Sequence, residues 1–209
     1  MLLENRTQAG RSLALKLTQY ANHPQGLVLG LPRGGVPVAY EIANSLDLPL
    51  DICLVRKLGI PERKELAMGA IASGGVRVLN QDIIDWLKIA EPAIEQVVRE
   101  ELAELSRRDR TYRGHRPRPD LANRTIILVD DGIATGATLR AAIAVLKPQQ
   151  PSRIIVAIPV APLDLCQQLE TEVDELVCLM KPEQLNSISL WYKDFGQITD
   201  EQVRYLLEN

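Results

Sequence analysis

Residues 126–138 read IILVDDGIATGAT. An apolar run, Ile126 to Val129, ends in two adjacent carboxylates, Asp130 and Asp131, and passes into small residues and threonines. Such a run predicts a strand buried on both faces, as in a parallel sheet covered by helices. Ligands of open sheets of this kind bind at the carboxyl ends of the strands. The small residues then open a helix, whose first N–H groups and positive dipole end attract an anion. Small side chains at Gly132, Ala134, Gly136 and Ala137 allow a phosphate close to the backbone, and Thr135 and Thr138 add hydroxyl donors. Paired aspartates suit vicinal sugar hydroxyls, or a Mg²⁺ that keeps part of its water shell. The structural alternative is a plain strand, turn and helix carrying two solvated aspartates. A P-loop would need Gly-Lys-Ser/Thr and a dinucleotide site G-x-G-x-x-G; neither occurs in this stretch. The segment therefore suits a sugar phosphate better than a nucleoside triphosphate.

The alternation continues on both sides. Downstream the pattern predicts a helix over 137–146, a strand over 154–158, a helix over 163–170 and a strand over 175–179. Upstream, Leu27-Val28-Leu29 is a short strand that runs into the turn LPRGG at 31–35, and Pro37 suits the start of the next helix. A second buried strand is expected over 50–55, followed by a polar connection, RKLGIPERKE, at 56–65. Residues 66–79 suggest paired strands around Ser73-Gly74-Gly75. Ile94, Val97, Val98, Leu102 and Leu105 mark a long helix over 91–112, with Pro92 in its first turn. At the N-terminus Ala9, Leu13, Leu17 and Tyr20 share one helical face, while Arg6, Gln8, Lys16 and Gln19 fall mostly elsewhere, and the helix should end near His23-Pro24. Residues 181–209 read as an irregular tail with Trp191, Tyr192 and Phe195, closed by a helix from about 200. The predicted class is doubly wound α/β, a mainly parallel sheet with flanking helices. With no internal repeat or linker, residues 1–209 are expected to form one domain with a helical excursion at about 80–118.

At 209 residues and a net charge of −3, the chain does not belong among proteins held to nucleic acid or anionic membrane by their whole surface. No apolar run nears the roughly 20 residues that span a bilayer. Glu4 interrupts the place where a secretory signal would continue, so a cytoplasmic protein is expected. Cys53, Cys166 and Cys178 sit in apolar surroundings without metal-ligand spacing and are expected to be buried thiols. His23 and His115 lie beside proline or glycine with no catalytic partner near in sequence. Arg107, Arg108, Arg110, Arg113, His115, Arg116 and Arg118 form a basic cluster that could draw phosphorylated substrates or RNA. Pairing with Glu100, Glu101 and Glu104 is the better reading, because no aromatic platform beyond Tyr112 is interleaved with it.

Residues 126–138 resemble the motif by which type I phosphoribosyltransferases bind 5-phosphoribosyl-1-pyrophosphate (PRPP), in which four hydrophobic residues precede two acidic ones and a loop of small residues and threonine. LGLPRGGVPVA at 29–39 is similar to that family's pyrophosphate loop, and VRKLGIPERKELAMGAI at 55–71 to the segment leading into its mobile loop. More narrowly, the chain resembles predicted bacterial phosphoribosyltransferases whose substrate is unassigned. The resemblance implies the type I phosphoribosyltransferase fold. It gives Asp130 and Asp131 contact with the ribose hydroxyls, directly or through Mg²⁺, and makes Ala134, Thr135, Gly136, Ala137 and Thr138 the 5-phosphate cradle. Arg33, Gly34 and Gly35 would hold pyrophosphate; a guanidinium on a glycine turn can present several donors there. Arg56 and Lys57 would lie near pyrophosphate or base, and Arg63 and Lys64 could close over the leaving group. The implied catalytic set is Asp130, Asp131, Arg33 and Lys57.

SLWYKDFG at 189–196 resembles the hood of the purine-salvage enzymes, so a hood is expected at about 180–209, with Asp194 a candidate metal contact and Trp191 or Tyr192 a candidate for stacking on a base. Aromatic packing of the hood onto the sheet is the structural alternative. Ala134 stands where hypoxanthine and guanine enzymes carry an acid, which counts against a 6-oxopurine acceptor; adenine- and orotate-type relatives also lack it. The expected activity is Mg²⁺-dependent phosphoribosyl transfer from PRPP to a nitrogen acceptor, with nucleobases the leading class, by a homodimer that releases pyrophosphate. A second expectation is a PRPP-binding regulator that acts on RNA, DNA or a partner protein. A third is exchange or phosphorolysis of a nucleotide.

Overall fold

The computed structural model describes residues 2–61 and 63–209, and of Lys64 and Glu65 the backbone only. In chain order the strands are β1 (Gly26–Gly30), β2 (Leu50–Ile52), β3 (Val55–Ile60), β4 (Arg63–Ala72), β5 (Arg77–Leu79), β6 (Thr125–Val129), β7 (Arg153–Val160) and β8 (Glu175–Met180). The helices are α1 (Arg6–Ala14), α2 (Gly35–Leu46), α3 (Gln81–Leu87), α4 (Glu91–Arg113), α5 (Ala137–Leu146), α6 (Leu163–Leu169) and α7 (Asp200–Glu208).

Five strands form a parallel sheet in the order β2-β1-β6-β7-β8. Every residue of β1 and β6 is buried, so the centre of the sheet must be covered on both faces. On one face Leu13, Val38, Ile42 and Leu46 of α1 and α2 pack on Val28, Ile127 and Val129. On the other, Leu139, Ile143, Leu165 and Leu169 of α5 and α6 pack on Leu27, Ile126, Leu128 and Ile158. This is the doubly wound arrangement. Because β1 and β6 are neighbours, with Gly30 opposite Val129, the loops that leave both strands open at one place.

The segment expected to be a polar connection at 56–65 is instead structured. The second strand stops at Ile52, Val55 begins a new one, and β3, β4 and β5 form a separate antiparallel sheet in that order. Leu58, Ile60, Met68 and Ile71 turn inward and are buried with Ile94, Val98 and Leu105 of α4. Charged residues between them hide a period-two pattern, and β3 is irregular, with register shifts either side of Gly59. The first helix also ends earlier than expected, at Ala14; Leu17 and Tyr20 reach the same core through a short turn at Thr18–Tyr20.

α4 is fastened to the main sheet by its last turn. Arg113 is buried there, with Nη2 donating to Asp51 at 2.9 Å and Nη1 to Asp109. Four more members of the basic cluster are also engaged: Arg107 and Arg108 both pair with Glu104, whose carboxyl they draw down to about 2, Arg118 pairs with Asp109, and Arg116 donates to the Leu207 carbonyl. The partners differ in part from expectation, since Glu101 takes Arg56 and Glu100 takes Gln96. α7, opened by a capping box at Thr199 and Gln202, buries Val203 and Leu207 in the core it shares with α4. No helix among the described residues is long and apolar enough to cross a membrane. Arg113→Met would remove the buried partner that two half-buried carboxylates, Asp51 and Asp109, share, and we expect a loss of about 1–3 kcal/mol in urea unfolding; Arg107→Ala, on the exposed side of the same helix, should leave the midpoint unchanged.

Candidate functional site

β6 ends in Asp130 and Asp131, and β1 runs into the LPRGG turn beside it. No side chain would fit between the two. A Cβ on Gly35 would stand 2.7 Å from the Val129 carbonyl oxygen, and one on Gly34 would stand 1.9 Å from Asp131 Oδ2. The glycines of the turn are therefore set by the close approach of its backbone to the acidic pair. The Pro32–Arg33 peptide bond is cis.

The two aspartates have different surroundings. Asp131 is 8% exposed; its Oδ2 accepts from Arg6 Nε at 2.7 Å and its carbonyl accepts from the Tyr192 hydroxyl at 2.6 Å. Asp130 is half-buried, its Oδ1 accepts the Asp131 amide at 2.9 Å, and among the described residues it is in no ion pair. Loss of water and the neighbouring Asp131 charge push the Asp130 carboxyl well above the usual carboxylate range. A cation beside it would reverse that penalty.

The small-residue loop leads directly into α5. Gly136 caps α5 in the left-handed region at φ 72°, no side chain caps the helix, and the Ala137 amide reaches Thr135 Oγ1 only at 3.4 Å. Ala134, Thr135 and Thr138 are exposed or half-buried beside these amides. Thr138, Pro32, Arg56, Lys57 and Arg108 share a cleft of about 670 Å³ along the free edge of β3. Lys57 is exposed, whereas Arg56 is held by Glu101 at 2.6 Å. Arg33 is exposed and lies 3.7 Å from Asp200, which also accepts the Tyr112 hydroxyl at 2.8 Å. Arg63 is exposed, and the Lys64 side chain lies outside the described part of the chain.

The hood candidates divide. The Tyr192 ring is buried against Phe195, with centroids 4.9 Å apart, so its packing role is the one the contacts describe; Trp191 is half-buried. Asp194 is exposed, accepts the Gly196 amide at 3.1 Å, and lines a different cleft of about 610 Å³ with Arg6, Tyr40, Glu41 and Tyr205. Among the described residues no hydrogen bond or ion pair joins it directly to the acidic pair. Sequence reasoning missed Arg6, Tyr112 and Asp200, and nothing local to them signals their place. Adjacent hard carboxylates with excess negative charge fit a Mg²⁺ that takes further ligands from a phosphate and water. Among the described residues no group of three or more His, Cys, Asp or Glu could hold a metal alone.

A phosphoribosyl transferase domain model matches residues 1–190. Two Mycobacterium tuberculosis proteins, from strains CDC 1551 and H37Rv and each provisionally named a phosphoribosyl transferase, are 43% identical over 207 residues, covering 99% of this chain and 46% of theirs. The chain thus spans less than half the length of these curated relatives. TT1426 from Thermus thermophilus, a crystal structure, is 38% identical with a TM-score of 0.90, covering 99% of this chain and 98% of its own. AQ2163 from Aquifex aeolicus, at 12% identity and a TM-score of 0.52 over 87% of this chain and 77% of its own, shares the fold alone.

The packing of Gly34 on Asp131 is testable without any ligand. Gly34→Ala must displace either the turn or the carboxylate, and we expect a loss of about 1–3 kcal/mol in chemical unfolding.

Proposed function

The chain belongs to the phosphoribosyltransferase family, and we propose that it transfers a phosphoribosyl group from PRPP to a nitrogen acceptor, with nucleobases the leading class, and releases pyrophosphate. One observation carries this reading: the acidic pair, the uncapped start of α5 and the LPRGG turn converge at the ends of two adjacent parallel strands. In this reading residues 1–209 act as one domain, with the helices at 80–118 as an excursion and 180–209 as its hood.

The 5-phosphate lies on the amides that open α5, with the hydroxyls of Thr135 and Thr138 as further donors. Arg33 and Lys57 meet the negative charge that grows on pyrophosphate as the bond from C1 of the ribose to oxygen breaks. The acceptor nitrogen forms its bond to C1 from the opposite side, and the carboxylates at the end of β6 face the positive charge developing on the sugar. Mg²⁺, when bound, would neutralise pyrophosphate oxygens and draw on the acidic pair for ligands. Arg33 and Arg56 would exchange Asp200 and Glu101 for phosphate oxygens as PRPP enters. The Asp194 contact to metal gains no support from the geometry, and neither does stacking by Tyr192. A PRPP-binding regulator of RNA or DNA loses its motive, because much of the basic cluster is paired within the fold.

The test is pyrophosphate release from PRPP and Mg²⁺ against purines, pyrimidines and other nitrogen acceptors. We expect release that depends on the acceptor and falls about 10²–10³-fold in Asp130→Asn. PRPP binding without release by any acceptor would overturn the transferase.

A further inference from the structure

Arg6 opens α1 and is 9% exposed. Its Nε donates to Asp131 Oδ2 at 2.7 Å, its Nη1 donates to the Gly196 carbonyl at 2.8 Å, and the guanidinium lies 3.8 Å from the centre of the Phe195 ring. The same carboxylate lies against Gly34 of the LPRGG turn, with no room for a Cβ between them. Asp131 is therefore enclosed between Arg6 and backbone, while Asp130 is more open and, among the described residues, carries no counter-cation.

We propose that Arg6 is a positioning residue that divides the acidic pair. It holds Asp131 as a bolt between β6, the LPRGG turn and the 195–196 segment, and leaves Asp130 as the member that faces the sugar and its cation. A buried charge pair of this geometry is costly to break from one side, because the partner is left unneutralised in a site largely withdrawn from water. Any effect of Asp131 on ligand binding must then pass through Arg6. The inference rests on the PRPP reading above.

A double-mutant cycle on Mg²⁺–PRPP binding, measured by calorimetry, tests this division. Arg6→Met and Asp131→Asn should each weaken binding about tenfold, which is ~1.4 kcal/mol. The double variant should bind no more weakly than Arg6→Met alone, because removing the charge at position 131 also removes what Arg6 neutralised. Arg6→Lys should recover most of the binding lost in Arg6→Met. Additive losses for Arg6→Met and Asp131→Asn would overturn the proposal, since Asp131 would then meet the ligand on its own account. If Arg6→Met does not fold, the cycle of Arg6→Lys with Asp131→Asn reads the same coupling with smaller changes. A wild-type chain that binds no PRPP overturns the parent reading and this one with it; that outcome is distinct from a wild type that binds but whose losses add.

Discussion

Two loops meet at the ends of β1 and β6 with no space for a side chain between them, and most of the site follows from that contact. The strands are adjacent and in register, Gly30 opposite Val129, so the chain leaving one must pass over the chain leaving the other. Glycine at 34 and 35 is the only solution that lets the backbone of the turn rest on the acidic pair. The turn leaves Arg33 exposed, 3.7 Å from Asp200, and the pair hands the chain on to the amides of α5. A sheet with a different strand order would carry the same motifs without bringing them together.

What could be read from the sequence divides along the range of the forces involved. Residues 126–138 were legible because strand, carboxylates, small residues and helix follow one another, each reporting on its neighbours; the helix predicted over 137–146 has those bounds in the structure. The β3–β4 pair was not legible. Gly59, Pro61 and a run of charges interrupt its alternation, and its inner face has meaning only once α4, some 30 residues later, lies over it. Arg6 was harder still. Helical periodicity set it among polar positions, yet it is buried, and its partner lies 125 residues away. The family resemblance set Arg56 near pyrophosphate or base; in the structure it lines the cleft and is held by Glu101 of α4.

The excursion therefore does more than fill space. α4 covers the inner face of the small sheet, and its acidic residues take up arginines at the cleft and along its own length. Its last turn is bolted to β2 through Arg113 and Asp51, and Tyr112 steadies the aspartate that Arg33 approaches. Most arginines of the basic cluster are paired within the fold, as the sequence reading favoured, though with partners that differ in part.

The contact between Arg6 and Gly196 joins positions 190 residues apart, and Leu3 pairs with Tyr192 in a parallel bridge. During synthesis α1 is made 190 residues before the glycine whose carbonyl its arginine meets. The strand carrying the acidic pair is likewise made before the segment that encloses it. A nascent chain halted before residue 190 would carry the acidic pair and the LPRGG turn without the segment that bonds Arg6 and the Asp131 carbonyl.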